Sequence, residues 1–109
     1  MSQRKDNFVI PLNTADAMEI CRKIIADAGW LILDRSEINI TAKEGSISSL
    51  FTNPVKLNIE CESVSGGTRI NINGKNFGMG PIQSKHVVGQ IGKFRNLIEL
   101  AVMERKKKE

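Results

Sequence analysis

The chain has 109 residues, 40% of them hydrophobic and 26% charged, with a formal net charge of +4. Length and composition are those of one globular domain and exclude a disordered, fibrous or collagen-like chain. No run approaches the roughly 20 apolar residues of a membrane-spanning helix, and the polar start Ser2-Gln3-Arg4-Lys5-Asp6-Asn7 has no apolar segment of the kind a signal peptide needs, so a cytoplasmic protein is expected.

The positive charge is unevenly placed. Arg4 and Lys5 stand at the start, and Arg105, Lys106, Lys107 and Lys108 at the end. The stretch between them is nearly neutral, so the high isoelectric point reports the chain ends and not a basic surface. The expected organisation is a flexible head over 1–7, a single domain over 8–103 and a charged tail over 104–109.

Phe8-Val9-Ile10-Pro11-Leu12 reads as a short strand that Pro11 either places at a sheet edge or ends. Asn13 or Thr14 then caps a helix with Asp16 in its first turn. Ala17, Ile20, Cys21, Ile24, Ile25 and Ala28 recur at helical spacing on one face, and Gly29 stops the helix. Trp30 to Asp34 is a strand, Arg35-Ser36-Glu37 a turn, and Ile38 to Ala42 alternates as a half-buried strand. The stretch 43–53, with Ile47, Leu50 and Phe51 among serines, reads as a loop. Val55, Leu57, Ile59 and Cys61 alternate with Lys56, Asn58, Glu60 and Glu62. Ser65-Gly66-Gly67-Thr68 turns the chain into a second strand carrying Ile70 and Ile72. The glycine-rich stretch 73–81 reads as a loop, after which Ser84 caps a last helix with Val87, Ile91, Phe94, Ile98, Ala101 and Val102 as its core stripe.

The order is therefore β-α-β-β-β-β-α. Antiparallel hairpins with one polar face make this an α+β domain, with one mostly antiparallel sheet and two helices on one face. The topology resembles that of TATA-binding-protein-like and helix-grip domains. The helix-grip resemblance implies a ligand space between the last helix and the sheet, with Trp30, Phe51, Phe77 and Met79 at its mouth. It implies no nucleic-acid binding, because the outer strand positions Glu37, Asn39, Thr41, Lys56, Asn58, Glu60, Arg69, Asn71 and Asn73 include no aromatic ring for stacking.

Catalysis has little to work with. The chain holds one histidine and no tyrosine. His86 reads as a solvated residue of the last helix, and Cys21 and Cys61 as small core hydrophobes. Glu60 and Glu62 share a sheet face that Lys56, Arg69 and Lys75 are expected to balance. No enzyme, metal or cofactor is expected. The loop Gly74-Lys75-Asn76-Phe77-Gly78-Met79-Gly80-Pro81 matches neither glycine-rich phosphate motif. It reads as a connector, with an anion contact by Lys75, Lys85 and the backbone at Ser84 as the alternative. Val87-Val88-Gly89-Gln90-Ile91-Gly92-Lys93 resembles the Gly-x-x-Gly loop of KH RNA-binding domains, but Arg95 stands where an apolar residue belongs, and no strand follows.

On the back of the last helix, Gly89, Gly92, Asn96, Leu100 and Met103 line up at spacings of three and four. This stripe reads as packing against the first helix or the 43–53 loop, as contact with a second copy, or as glycines that are merely tolerated beside scattered exposed residues, Leu100 and Met103. The overall expectation is a small non-enzymatic domain that binds an amphipathic ligand or a protein partner. A homodimer through the stripe, and weak nucleic-acid or membrane association through Arg105–Lys108, are the alternatives.

Overall fold

In the computed structural model, which describes residues 2–45 and 53–107, seven elements follow in the expected order. They are β1 (Ser2–Ile10), α1 (Thr14–Asp27), β2 (Leu31–Arg35), β3 (Asn39–Lys43), β4 (Lys56–Val64), β5 (Gly67–Asn76) and α2 (Pro81–Lys107). The strands form one five-stranded sheet ordered β1-β5-β4-β3-β2, and every pairing is antiparallel. Both helices cover one face, α2 over β1 and β5, and α1 chiefly over β4 and β2. Most of the expected loop, including Ile47, Leu50 and Phe51, lies outside the described residues.

Several boundaries differ from the sequence expectation, each for a physical reason. The head is not loose, because β1 begins at Ser2 and pairs with β5 along its whole length, Ser2 opposite Asn76 and Ile10 opposite Thr68. Backbone ladder bonds form this polar half of the strand, and hydrophobic alternation cannot reveal them. β1 is an edge strand, as one reading of Pro11 implies, and Arg4, Lys5 and the proline blunt its free side. β5 likewise continues through Gly74 and Lys75 to Asn76, residues expected in the glycine-rich loop. Gly74 belongs in the strand because α2 lies close above it. A Cβ there would stand 3.0 Å from Ile91 Cδ1 and from Leu57 Cδ2.

α2 starts at Pro81, one turn before the cap expected at Ser84. Proline is favoured as the first helical residue, where its missing N–H has no partner to lose. Gly80, at φ 98°, turns the chain into it, and Ser84 N donates to Gly80 O at 3.1 Å. The helix then runs 27 residues to Lys107, about 40 Å at the α-helical rise. The tail expected to fray is helical there, and Arg105 Nη2 reaches Asp16 Oδ2 on α1 at 3.1 Å. Asn13 is the cap of α1, its side chain accepting from Asp16 N at 2.8 Å.

The core lies between the helices and the sheet. The predicted stripes of both helices face it, apart from Ala101, which is only half-buried and lines a groove with Ile20 and Ile24 of α1; Ile40, Ala42, Leu57, Ile59, Ile70 and Ile72 meet them from the strands. Trp30 packs edge-on against Phe94, ring centroids 4.9 Å apart and planes at 86°, a favoured aromatic geometry. Cys21 and Cys61 are both buried and free. Their mutual hydrogen bond, reinforced by burial, pushes the Cys21 thiol well up, which keeps the thiolate scarce and the residue unreactive at neutral pH.

His86 also departs from the sequence expectation. It is not a solvated residue: its side chain is 15% exposed, and Nε2 lies 2.9 Å from Glu44 Oε1, on a carboxylate only 8% exposed. The same Glu44 oxygen accepts from Val55 N at 3.0 Å. The histidine thus ties α2 to the strand ends that flank the β3–β4 connection.

Candidate functional site

The sheet register brings together three lysines that lie far apart in sequence. Lys43 on β3 stands directly opposite Lys56 on β4, and Lys56 directly opposite Lys75 on β5. Their chain neighbours Ala42, Leu57 and Gly74 are buried against the helices, so strand alternation turns all three lysines to the outer face. Leu31 on β2 continues the row, opposite Lys43. Adjacent strands are about 4.8 Å apart, and like charges directly opposite one another are destabilising. Among the described residues, no carboxylate lies within ion-pair distance of any of the three.

The expected balance of Glu60 and Glu62 against Lys56, Arg69 and Lys75 is therefore only part of the picture. Arg69 does pair with Glu62, at 3.4 Å. Lys56 and Lys75 stand apart from the glutamates toward the other end of the strands, and the outer face carries its charge segregated.

The lysine row opens into a cleft of about 320 Å³ lined by Leu33, Lys43, Pro54, Lys56, Lys75, Asn76 and Phe77. Leu33, Pro54 and the Phe77 ring give it an apolar side, with Phe77 itself 87% exposed. Its rim is fixed from beneath by α2. Gln83 Oε1 accepts from Asn53 N at 2.8 Å and from Asn76 Nδ2 at 3.0 Å, and His86 holds Glu44 as described. Asn76 Oδ1 is buried without a hydrogen-bond partner among the described residues. Ammonium groups beside apolar surface can hold a molecule that is anionic at one end and apolar at the other.

The residues singled out in the sequence are distributed unevenly around this site. Lys75 and Phe77, read separately as an anion contact and a ligand contact, meet in the cleft. Met79 is 82% exposed in the adjoining loop. Trp30 is 7% exposed and serves the core, not a mouth, because Phe94 occupies the space in front of it. Phe51 lies outside the described residues. Ser84 lines a different, shallow depression with Ser2, Arg4, Gly80 and Pro81, and Lys85 is exposed on α2. The anion set of Lys75, Ser84 and Lys85 is thus not one site.

The stripe Gly89, Gly92, Asn96, Leu100 and Met103 is exposed throughout. A Cβ on Gly89 or Gly92 would meet nothing within 4 Å, so packing of these glycines against α1 or another part of the described chain is overturned. Both glycines are in mid-helix, which also removes the KH-like loop. The ligand space implied under the last helix is filled by Val87, Phe94 and Ile98, all fully buried.

Sequence reasoning missed Leu33, Lys43, Pro54 and Lys56 as site residues. One signal was available. A two-residue turn at Ser65-Gly66 pairs Val64 with Gly67, and counting back from it places Lys56 opposite Lys75. Lys43 required the β3–β4 register, which the long connection hides.

No family model matches the chain, and no curated protein matches it. Among solved structures, the crystal structure of Ara h 8.0201 is similar over 94% of this chain and 97% of that one, with a TM-score of 0.55 and 12% sequence identity. At that identity the likeness shows the fold alone, an antiparallel sheet with a C-terminal helix laid across it, in agreement with the helix-grip topology. TTHA0849 from Thermus thermophilus aligns over 94% of this chain and 95% of its own at 8% identity, but with a TM-score of 0.46 it is too distant to add to this. Among the described residues no helix is long and apolar enough to cross a membrane.

Proposed function

We propose that the protein is a non-enzymatic binding domain whose site is the outer-face cleft, and that its ligand is an amphipathic anion. A phosphate or carboxylate head sits on the ammonium groups of Lys43, Lys56 and Lys75, and an apolar body lies against Leu33, Pro54 and Phe77. The observation that carries this reading is the unpaired cross-strand row. Three like charges in register weaken a sheet, and an anion bridging them relieves that repulsion. Charge-assisted hydrogen bonds from lysine to an oxyanion are about twice as strong as neutral ones. The cleft volume of about 320 Å³ lies at the small end of the range for ligand pockets, so the bound portion is short.

Calorimetric titration with octyl phosphate, inorganic phosphate and octanol tests both halves of the site. Octyl phosphate is expected to bind at least about tenfold more tightly than either fragment, since each fragment forfeits one set of contacts worth more than about 1.4 kcal/mol. Equal affinity for octanol would show that the lysines contribute nothing, and the reading would fail.

A further inference from the structure

We infer that the cleft is the centre of a larger docking surface, and that the anion it takes is the headgroup of an anionic lipid met at a bilayer surface. This rests on the cleft being a site for an amphipathic anion and adds what carries that anion. Around the cleft, the chain from the end of β5 into α2 exposes a run of large apolar side chains. Phe77 is 87%, Met79 82% and Ile82 60% exposed, consecutive on alternate positions and then in the first turn of α2. Leu31 and Leu33 on the outer face of β2 are also exposed. Exposed apolar residues are ordinary when scattered. Here they gather at one pole of the molecule.

The same pole is basic. Besides the three lysines of the row, Lys85 is exposed on α2, and Arg4 lies beside Gly80 and Pro81 at its start. The first turn of α2 holds no acidic residue. Two carboxylates near this region are engaged on the helix side of the sheet, Glu44 with His86 and, further along, Asp6 with Arg95, while Asp34, beside Leu33 on β2, is exposed. A pole that carries exposed apolar side chains beside a row of cations matches an anionic membrane surface, where ammonium groups meet headgroups and Phe77 and Met79 enter the acyl boundary. The apolar set is aliphatic apart from Phe77. It therefore suits acyl chains better than the bases of a single strand, which call for a row of rings. Arg105–Lys107 sit at the other end of α2, about 40 Å away by the helix rise, so association through the tail is a separate and distinguishable event.

The test is co-sedimentation of the full chain with vesicles, read beside the octyl phosphate titration. Binding is expected to mixed phosphatidylglycerol–phosphatidylcholine vesicles and not to phosphatidylcholine alone. Lys56→Glu and Phe77→Ser, both at exposed positions, are each expected to lower vesicle binding by roughly tenfold or more, and tryptophan emission reports that each variant keeps its folded core. Octyl phosphate bound in the cleft with no sedimentation on anionic vesicles would overturn the membrane inference and leave the cleft reading standing. Failure of both ligands would overturn both. Vesicle binding abolished by removing residues 104–109 but indifferent to Lys56→Glu would assign the event to the tail and overturn the inference. So would Lys56-dependent binding of a single-stranded oligonucleotide in place of vesicles.

Discussion

Replacing Phe94 with alanine is expected to lower the unfolding free energy by roughly 3–5 kcal/mol, the usual cost of deleting a fully buried aromatic ring. Phe94 is 0% exposed, stands near the middle of α2 and makes the edge-on contact with Trp30. A domain of this size is held by only about 5–15 kcal/mol in all, so the variant stands near the limit of folding. Urea denaturation followed by Trp30 fluorescence measures the loss. Its size also bears on function. A large value means that the space between α2 and the sheet is close-packed and holds no ligand. A loss under about 1.5 kcal/mol would mean that the ring lines a loosely filled cavity, and the site would then belong beneath the helix.

The second large effect has opposite signs in two assays. Lys56 stands between Lys43 and Lys75 in direct register. Lys56→Glu replaces two repulsive cross-strand pairs with two attractive ones, each such pair contributing about 0.2–1 kcal/mol. The unliganded protein is therefore expected to become more stable, by about 1 kcal/mol. Wild-type stability should rise with added salt as the row is screened, and the variant should lose that rise. Anion binding should move the other way. The central cation is gone and a carboxylate faces the ligand, so affinity falls by roughly 1.5–3 kcal/mol, the range for a hydrogen bond to a charged group. Thermal melts over a salt series and the octyl phosphate titration, run on the same samples, check both arms. A surface tolerated without function predicts the gain in stability but no ligand to lose.

Much of the architecture follows from periodicity. The apolar positions of α1 from Ala17 to Ile25, the alternation of Leu57, Ile59 and Cys61, and the stripe from Val87 to Val102, Ala101 apart, all point into the core as their spacing requires. Where the pattern was polar, spacing had nothing to report. Ser2 to Asn7 form strand because Asn71–Asn76 offer them a ladder, and Gly74–Asn76 form strand because α2 and β1 surround them. The burial of His86 is not legible in the sequence because its partner is 42 residues away, and a lone histidine on a helix carries no sign of a buried glutamate. Phe77 and Lys75 stood out as single residues, but Lys43, Lys56 and Lys75 become a feature only once three strands are set in register. One of those registers spans the β3–β4 connection, whose length no local rule converts into a pairing. In the sequence the lysines alternate with asparagine and glutamate and look like a balanced polar face. Alternation states which face a residue takes and is silent on which end of the strand it shares with its neighbours.

The placement of the site is tested most directly by an amide nitrogen–proton correlation spectrum recorded through a titration with octyl phosphate. The expected result is a saturable set of shifts confined to residues around Leu33, Lys43, Lys56, Lys75 and Phe77, with the amides of Trp30, Phe94 and Ile98 unmoved. Shifts centred on Trp30, Phe94 and Ile98 would place the ligand beneath α2 and contradict the outer-face cleft, and a spectrum unchanged to saturating ligand would contradict binding of an amphipathic anion altogether.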